Sequence, residues 1–76
     1  MTGKIERIGI LPTSELQLRY VLTIQNSKLN FICFTDMSYN NVYDICLAKI
    51  GDEVSFNYNK KNEIKMSSFK NMSMNK

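Results

Sequence analysis

The chain has no histidine and no tryptophan, and only one proline, three glycines and two cysteines among its 76 residues. Without histidine it lacks the side chain that most often serves as general base and as metal ligand. The carboxylates Glu6, Asp36, Asp44, Glu53 and Glu63 are scattered over separate segments with no pairing visible in the sequence. Acid–base chemistry therefore has no obvious home, and neither an enzymatic activity nor a cofactor or metal is expected. Cys33 and Cys46 sit inside apolar runs, at a spacing that fits no zinc or redox pattern. They read as small buried hydrophobes, with a disulfide or a reactive thiol as the alternatives.

Long apolar runs are missing too. No stretch approaches the roughly 20 residues of a membrane-spanning helix, and Met1-Thr2-Gly3-Lys4-Ile5-Glu6-Arg7 has no apolar region of the secretory kind. A cytoplasmic protein without a membrane partner is the resulting expectation. A chain of this length makes one compact domain and buries roughly 60% of its unfolded surface, too little for a deep active site. What it does have is a mild positive excess, +3 from ten Lys and Arg against seven Asp and Glu. Such an excess suits a polyanionic partner.

Read for periodicity, Lys4 to Leu11 is strand-like, but its alternation changes phase between Ile5 and Ile8 and Gly9 interrupts it, the pattern of a bulged, curved strand. Pro12-Thr13-Ser14-Glu15 is a turn. Leu16 to Gln25 then alternates, with Leu18, Tyr20, Leu22 and Ile24 on one face and Arg19, Val21, Thr23 and Gln25 on the other. A third run, Leu29 to Phe34, is apolar at nearly every position, and its surplus on the second face must cover something or meet a ligand. After Thr35-Asp36, Ser38 caps a helix in which Tyr39, Val42, Cys46 and Ile50 recur at helical spacing, an amphipathic rod of about three turns closed by Gly51. Glu53 to Tyr58 and Glu63 to Phe69 are two further strands around the polar turn Asn59-Lys60-Lys61-Asn62. The tyrosines are assigned to the core and to helix packing, and Met66, Met72 and Met74 to gaps and tail.

The predicted order is βββαββ, a five-stranded all-β domain with one helix. It resembles the OB-fold superfamily, the Greek-key barrel that binds oligonucleotides and oligosaccharides. The resemblance rests on a long first strand kinked at Gly9, a hairpin, a helix between the third and fourth strands, and Gly51-Asp52-Glu53-Val54 leading into the fourth strand. It covers Lys4 to about Asn71 and implies a single domain over residues 1–71, followed by a flexible tail at 72–76. An SH3-like barrel is the competing fold, against which the helix position argues.

A hairpin loop of two or four residues centred on Asn26-Ser27 pairs Tyr20 with Cys33, Leu22 with Phe31 and Ile24 with Leu29 on the core face. The opposite face then carries Arg19 beside Phe34, Val21 beside Ile32, Thr23 beside Asn30 and Gln25 beside Lys28. A three-residue loop slips the register and mixes polar with apolar on both faces. The outer face of the even register offers a ring and aliphatic platforms for splayed bases and cations for phosphates. In the family it resembles, the ligand crosses strands two and three between two loops, here Leu11 to Leu16 and Asn59 to Asn62. Arg7, if it points outward beside Gly9, and Lys60 and Lys61 in the second loop then join the rim.

The candidate nucleic-acid-binding residues are thus Arg7, Arg19, Val21, Lys28, Asn30, Ile32, Phe34, Lys60 and Lys61. Blander roles are available: Phe34 as cover for the barrel end, the lysines as a solvated turn, Arg19 as a solubilising edge residue. The function expected is single-stranded nucleic-acid binding in replication or DNA processing, DNA before RNA, with little sequence preference. The alternative is an accessory subunit that uses the same patch to dock on a larger replication protein such as a polymerase, primase or helicase.

Overall fold

The structure is a computed structural model that describes residues 1–13, 17–35 and 38–74. It is mostly sheet: five antiparallel strands in the order β3-β2-β1-β4-β5, with one short helix between the third and fourth. β1 spans Thr2–Pro12, β2 Leu18–Ile24, β3 Asn30–Thr35, α1 Val42–Cys46, β4 Glu53–Ser55 and β5 Lys70–Asn71. The sheet is not closed into a barrel. An isolated parallel bridge joins Ile32 of β3 to Glu63, made by Ile32 N–H donating to the Asn62 carbonyl at 2.9 Å and Ile64 N–H to the Ile32 carbonyl at 2.7 Å. Among the described residues no helix is long and apolar enough to cross a membrane.

β1 is shared between two neighbours. Thr2–Lys4 pairs with β4, whereas Ile5 to Pro12 pairs with β2, and the ladder steps from Ile5↔Ile24 straight to Arg7↔Thr23, so that Glu6 is an extra residue. This bulge explains the change of phase: both Ile5 and Ile8 turn toward the core across it. Its site is Glu6 rather than Gly9, which pairs regularly with Val21. Gly3 serves a different purpose. A Cβ there would lie 2.5 Å from Ile24 Cγ2, so the bare backbone lets β1 lie against that side chain.

The β2–β3 register is the even one. Arg19 pairs with Phe34, Tyr20 with Cys33, Val21 with Ile32, Leu22 with Phe31 and Thr23 with Asn30. Tyr20, Leu22, Ile24, Phe31 and Cys33 are all buried, and with Ile5, Ile45, Val54, Phe56, Ile64, Met66 and Phe69 they form the core. Phe31 sits edge-on to Phe56 and Tyr58 with centroids 5.1 and 4.8 Å away, while Phe56 stacks on Phe69. Both thiols are free. Cys33 is fully buried with its Sγ 3.4 Å from Met66 Sδ, its pKa pushed up to about 12 by desolvation, and Cys46 is half-buried.

Several expectations about the second half are corrected. The helix is one short turn rather than three, because Ser38 to Asn41 forms turns and the Asn41 side chain does not cap it. Instead the Asn41 amide donates to the carbonyls of Met66 and Phe69 at 2.9 and 2.8 Å, tying α1 to the C-terminal segment. Val42 and Ile45 make its buried face, so Tyr39, Tyr43 and Ile50 are exposed. Gly51, at φ 95°, closes a turn after the helix and not the helix itself.

The fourth strand stops at Ser55 and the fifth is Lys70–Asn71, not Glu63 to Phe69. Over 66–68 the chain makes a 3-10 turn, in which Ser68 Oγ accepts from Asn57 N–H at 2.8 Å and donates to the Lys65 carbonyl at 2.6 Å. A serine hydroxyl that bonds the backbone in this way replaces ladder bonds.

Asp44 and Asp52 converge on buried Asn71, whose Nδ2 donates to the Asp44 carbonyl and to Asp52 Oδ2, and whose N–H donates to Asp44 Oδ2. Asp52 is itself buried. The Asn71 amide holds its carboxyl below its ordinary range, burial works the other way, and Lys49 adds a backbone N–H and its charge. Two of the carboxylates thus belong to a structural joint. Met72–Met74 forms a further 3-10 turn, and Ser73 Oγ accepts from Glu53 N–H at 2.8 Å. Ser14, Glu15, Leu16 and Asp36, and the tail residues 75 and 76, lie outside the described residues.

Candidate nucleic-acid interface

Two ladders in register place three rows of residues on the outer face of β1, β2 and β3. Arg7, Thr23 and Asn30 make the first, Gly9, Val21 and Ile32 the second, and Leu11, Arg19 and Phe34 the third. The Glu6 bulge matters here, since the shift it introduces brings Arg7 into line with Thr23. Gly9 leaves the middle of this face low: a Cβ there would meet nothing within 4 Å. Phe34 is 43% exposed, so its ring is not a core group, and Val21 and Ile32 are half-buried beside it.

The polar groups on this face are partly committed and partly open. Thr23 Oγ1 donates to Asn30 Oδ1 at 2.8 Å, which leaves the Asn30 amide nitrogen as an outward donor. Arg19 is half-buried, and its Nε–H has no hydrogen-bond partner among the described residues. That nitrogen is buried, so what Arg19 offers the face is its half-buried cationic charge beside an exposed ring.

Lys60 and Lys61 are exposed on the turn from Asn59 to Asn62, which the bridge at Ile32 holds against the edge of β3. Asn59 builds that turn. Its Oδ1 accepts from the N–H groups of Lys61 and Glu63 at 2.9 and 3.0 Å, and Asn62 takes φ 61°, a conformation that asparagine tolerates better than most residues. Lys28 is exposed in the hairpin loop, outside the paired stretch. The loop expected to form the other rim, Leu11 to Leu16, lies partly outside the described residues.

Beyond Phe34 the face continues into an open hollow of about 520 Å³ lined by Phe34, Tyr39, Asn59, Glu63, Lys65 and Ser67, with Ile64 and Met66 beneath. The spacing of Tyr39 to Val42 is helical and predicts a place on the helix for it, and nothing in the sequence marks Glu63 or Lys65 for binding. The parallel bridge is what brings Glu63 next to Ile32. No pattern in the sequence announces a bridge of one residue pair. Among the described residues no cluster of His, Cys, Asp and Glu suited to a metal ion occurs. The chain has no significant match among protein-family models, curated proteins or solved structures.

Proposed function

We propose that the chain is a small single-stranded nucleic-acid-binding protein, for DNA before RNA, that serves replication or DNA processing with little sequence preference. The observation that carries this reading is the outer face of β1, β2 and β3, where Arg7, Arg19 and the Asn30 amide surround Val21, Ile32 and an exposed Phe34 in consecutive rows. Rings and aliphatic platforms accept any base, and flanking cations hold the backbone. On this reading the sheet is the greater part of an OB-type Greek-key barrel, with the Ile32–Glu63 bridge as the beginning of its closure.

The test is fluorescence anisotropy with labelled oligo-dT, oligo-U and a duplex at two salt concentrations. Single strands bind more tightly than duplex, and Phe34→Ala weakens that binding by about 1–3 kcal/mol, the usual worth of one base–aromatic stack, while the fold survives. Equal binding of duplex, or an unfolded Phe34→Ala variant, refutes the reading.

A second reading has one observation in its favour. Tyr43, Leu47 and Ile50, on α1 and the turn after it, are each more than half exposed. As an accessory subunit the protein would dock on a larger replication enzyme through the outer face together with these side chains, and variants of either surface would then bind oligonucleotide normally and lose that partner.

A further inference from the structure

The hollow beyond Phe34 has a chemistry of its own. Two exposed aromatic side chains line it, Phe34 from β3 and Tyr39 from the turn before α1, 43% and 39% exposed. Its polar lining is fixed in an unusual way, because the Asn59 side chain is fully occupied as an acceptor by the N–H groups of Lys61 and Glu63. Asn59 Nδ2 in turn donates to Glu63 Oε1 at 2.9 Å and so holds the carboxylate in place. Glu63 Oε2 has no hydrogen-bond partner among the described residues. Lys65 lines the same hollow and adds a cation to its wall.

We propose that this hollow receives one unstacked nucleobase, and that Glu63 selects bases bearing an exocyclic amine: cytosine, adenine and guanine over thymine and uracil. A positioned carboxylate accepts hydrogen bonds and cannot donate them, so it pairs with an amine and repels the carbonyl oxygens that flank the single N–H of thymine or uracil. The aromatic pair supplies stacking for whichever base enters, and Lys65 stands by its phosphate. This inference rests on the reading of the outer face as a single-strand platform and adds a composition preference at one nucleotide.

The test compares oligo-dC with oligo-dT, two weakly stacking pyrimidine strands, by anisotropy at one salt concentration and pH 7.5. The wild-type protein binds oligo-dC about tenfold more tightly, the order of one good base-edge contact. Glu63→Gln keeps an oxygen to accept from Asn59 and turns its NH2, a donor, toward the base in place of the acceptor, so the ratio falls to one or below with the fold intact by circular dichroism. Tyr39→Ala weakens both strands about tenfold, and Tyr39→Phe restores them.

Binding of both strands with equal affinity by the wild-type protein, or a ratio unmoved by Glu63→Gln, overturns the selection by Glu63 and leaves the platform reading standing. Unchanged binding by Tyr39→Ala overturns the hollow as the base site. Failure to bind either strand overturns the platform and this inference together.

Discussion

The half of the molecule before α1 and the half after it are built by different means. In β1, β2 and β3 the backbone ladders do the work, and side chains simply alternate between a buried face and an open one. After α1, strands shrink to Glu53–Ser55 and Lys70–Asn71, and asparagine and serine side chains take over as the partners of its backbone groups: Asn41, just before α1, for Met66 and Phe69, Asn59 for Lys61 and Glu63, Ser68 for Asn57, Ser73 for Glu53. A ladder tolerates many side chains on its open face. A segment held by particular amides and hydroxyls does not, so the first half is free to vary its outer surface and the second is committed to its sequence.

Phe31→Ala is the change that breaks the comparison, since its ring belongs to β3 yet packs on Phe56 and Tyr58 of the second half. A loss of about 3–5 kcal/mol is expected, a large part of the stability of so small a domain. Urea unfolding followed by both far-ultraviolet circular dichroism and tyrosine fluorescence should show a single transition at lower urea, and two separated transitions would mean that the halves unfold independently.

Asn71→Ala attacks only the second half. It strands the Asp44 carbonyl and removes the amide that bonds Asp52, at a cost of about 1–3 kcal/mol. Because the Asp52 carboxyl is held below its ordinary value in the folded protein, it contributes stability above the unfolded value near about pH 4, and that contribution disappears as pH falls through the lower folded value. Asp52→Asn should therefore lower stability at pH 7 and flatten the decline on acidification, as denaturation at a series of pH values would show.

Cys33→Ser tests the first half at its seam with the second. The hydroxyl replaces a thiol buried against Met66, and a loss of about 1–3 kcal/mol follows from a poorly paired polar group. Unchanged stability would count against the β2–β3 register.

Smaller effects fall on the open surfaces. Lys60→Ala with Lys61→Ala should leave the denaturation midpoint in place and flatten the log–log salt dependence of single-strand binding by about 0.7 for each phosphate contact removed. Gly9→Val should leave stability unchanged or slightly raised, since the strand gains a β-branched residue with nothing in its way, and yet weaken oligonucleotide binding by filling the low centre of the face.

Legibility in the sequence follows the same division. Tyr20, Leu22 and Ile24 against Phe31 and Cys33 can be aligned by hand, because a period of two and a short loop leave only one register that separates the faces. The Arg19–Phe34 and Val21–Ile32 neighbours follow from it without further information. Bonds such as Asn41 to Met66 and Asn71 to Asp52 join residues 25 and 19 positions apart through single side chains, and no periodicity encodes them. Tyr39 shows how pattern misleads: three residues before Val42 it reads as helix, but the Asn40-Asn41 pair ends the helical pattern between them, and the ring is left at the hollow.

The division of β1 between two neighbours has a consequence in time. Its later residues meet β2 within a hairpin's length of chain, whereas Thr2, Gly3 and Lys4 await Ser55, Val54 and Glu53, some fifty residues further along. On a ribosome the first three strands can therefore assemble while the start of β1 is still a bare edge, and only the arrival of β4 covers it. During that interval the nascent chain presents an unpaired strand end to its surroundings, and the arrival of β4 decides whether the sheet is finished alone or in company.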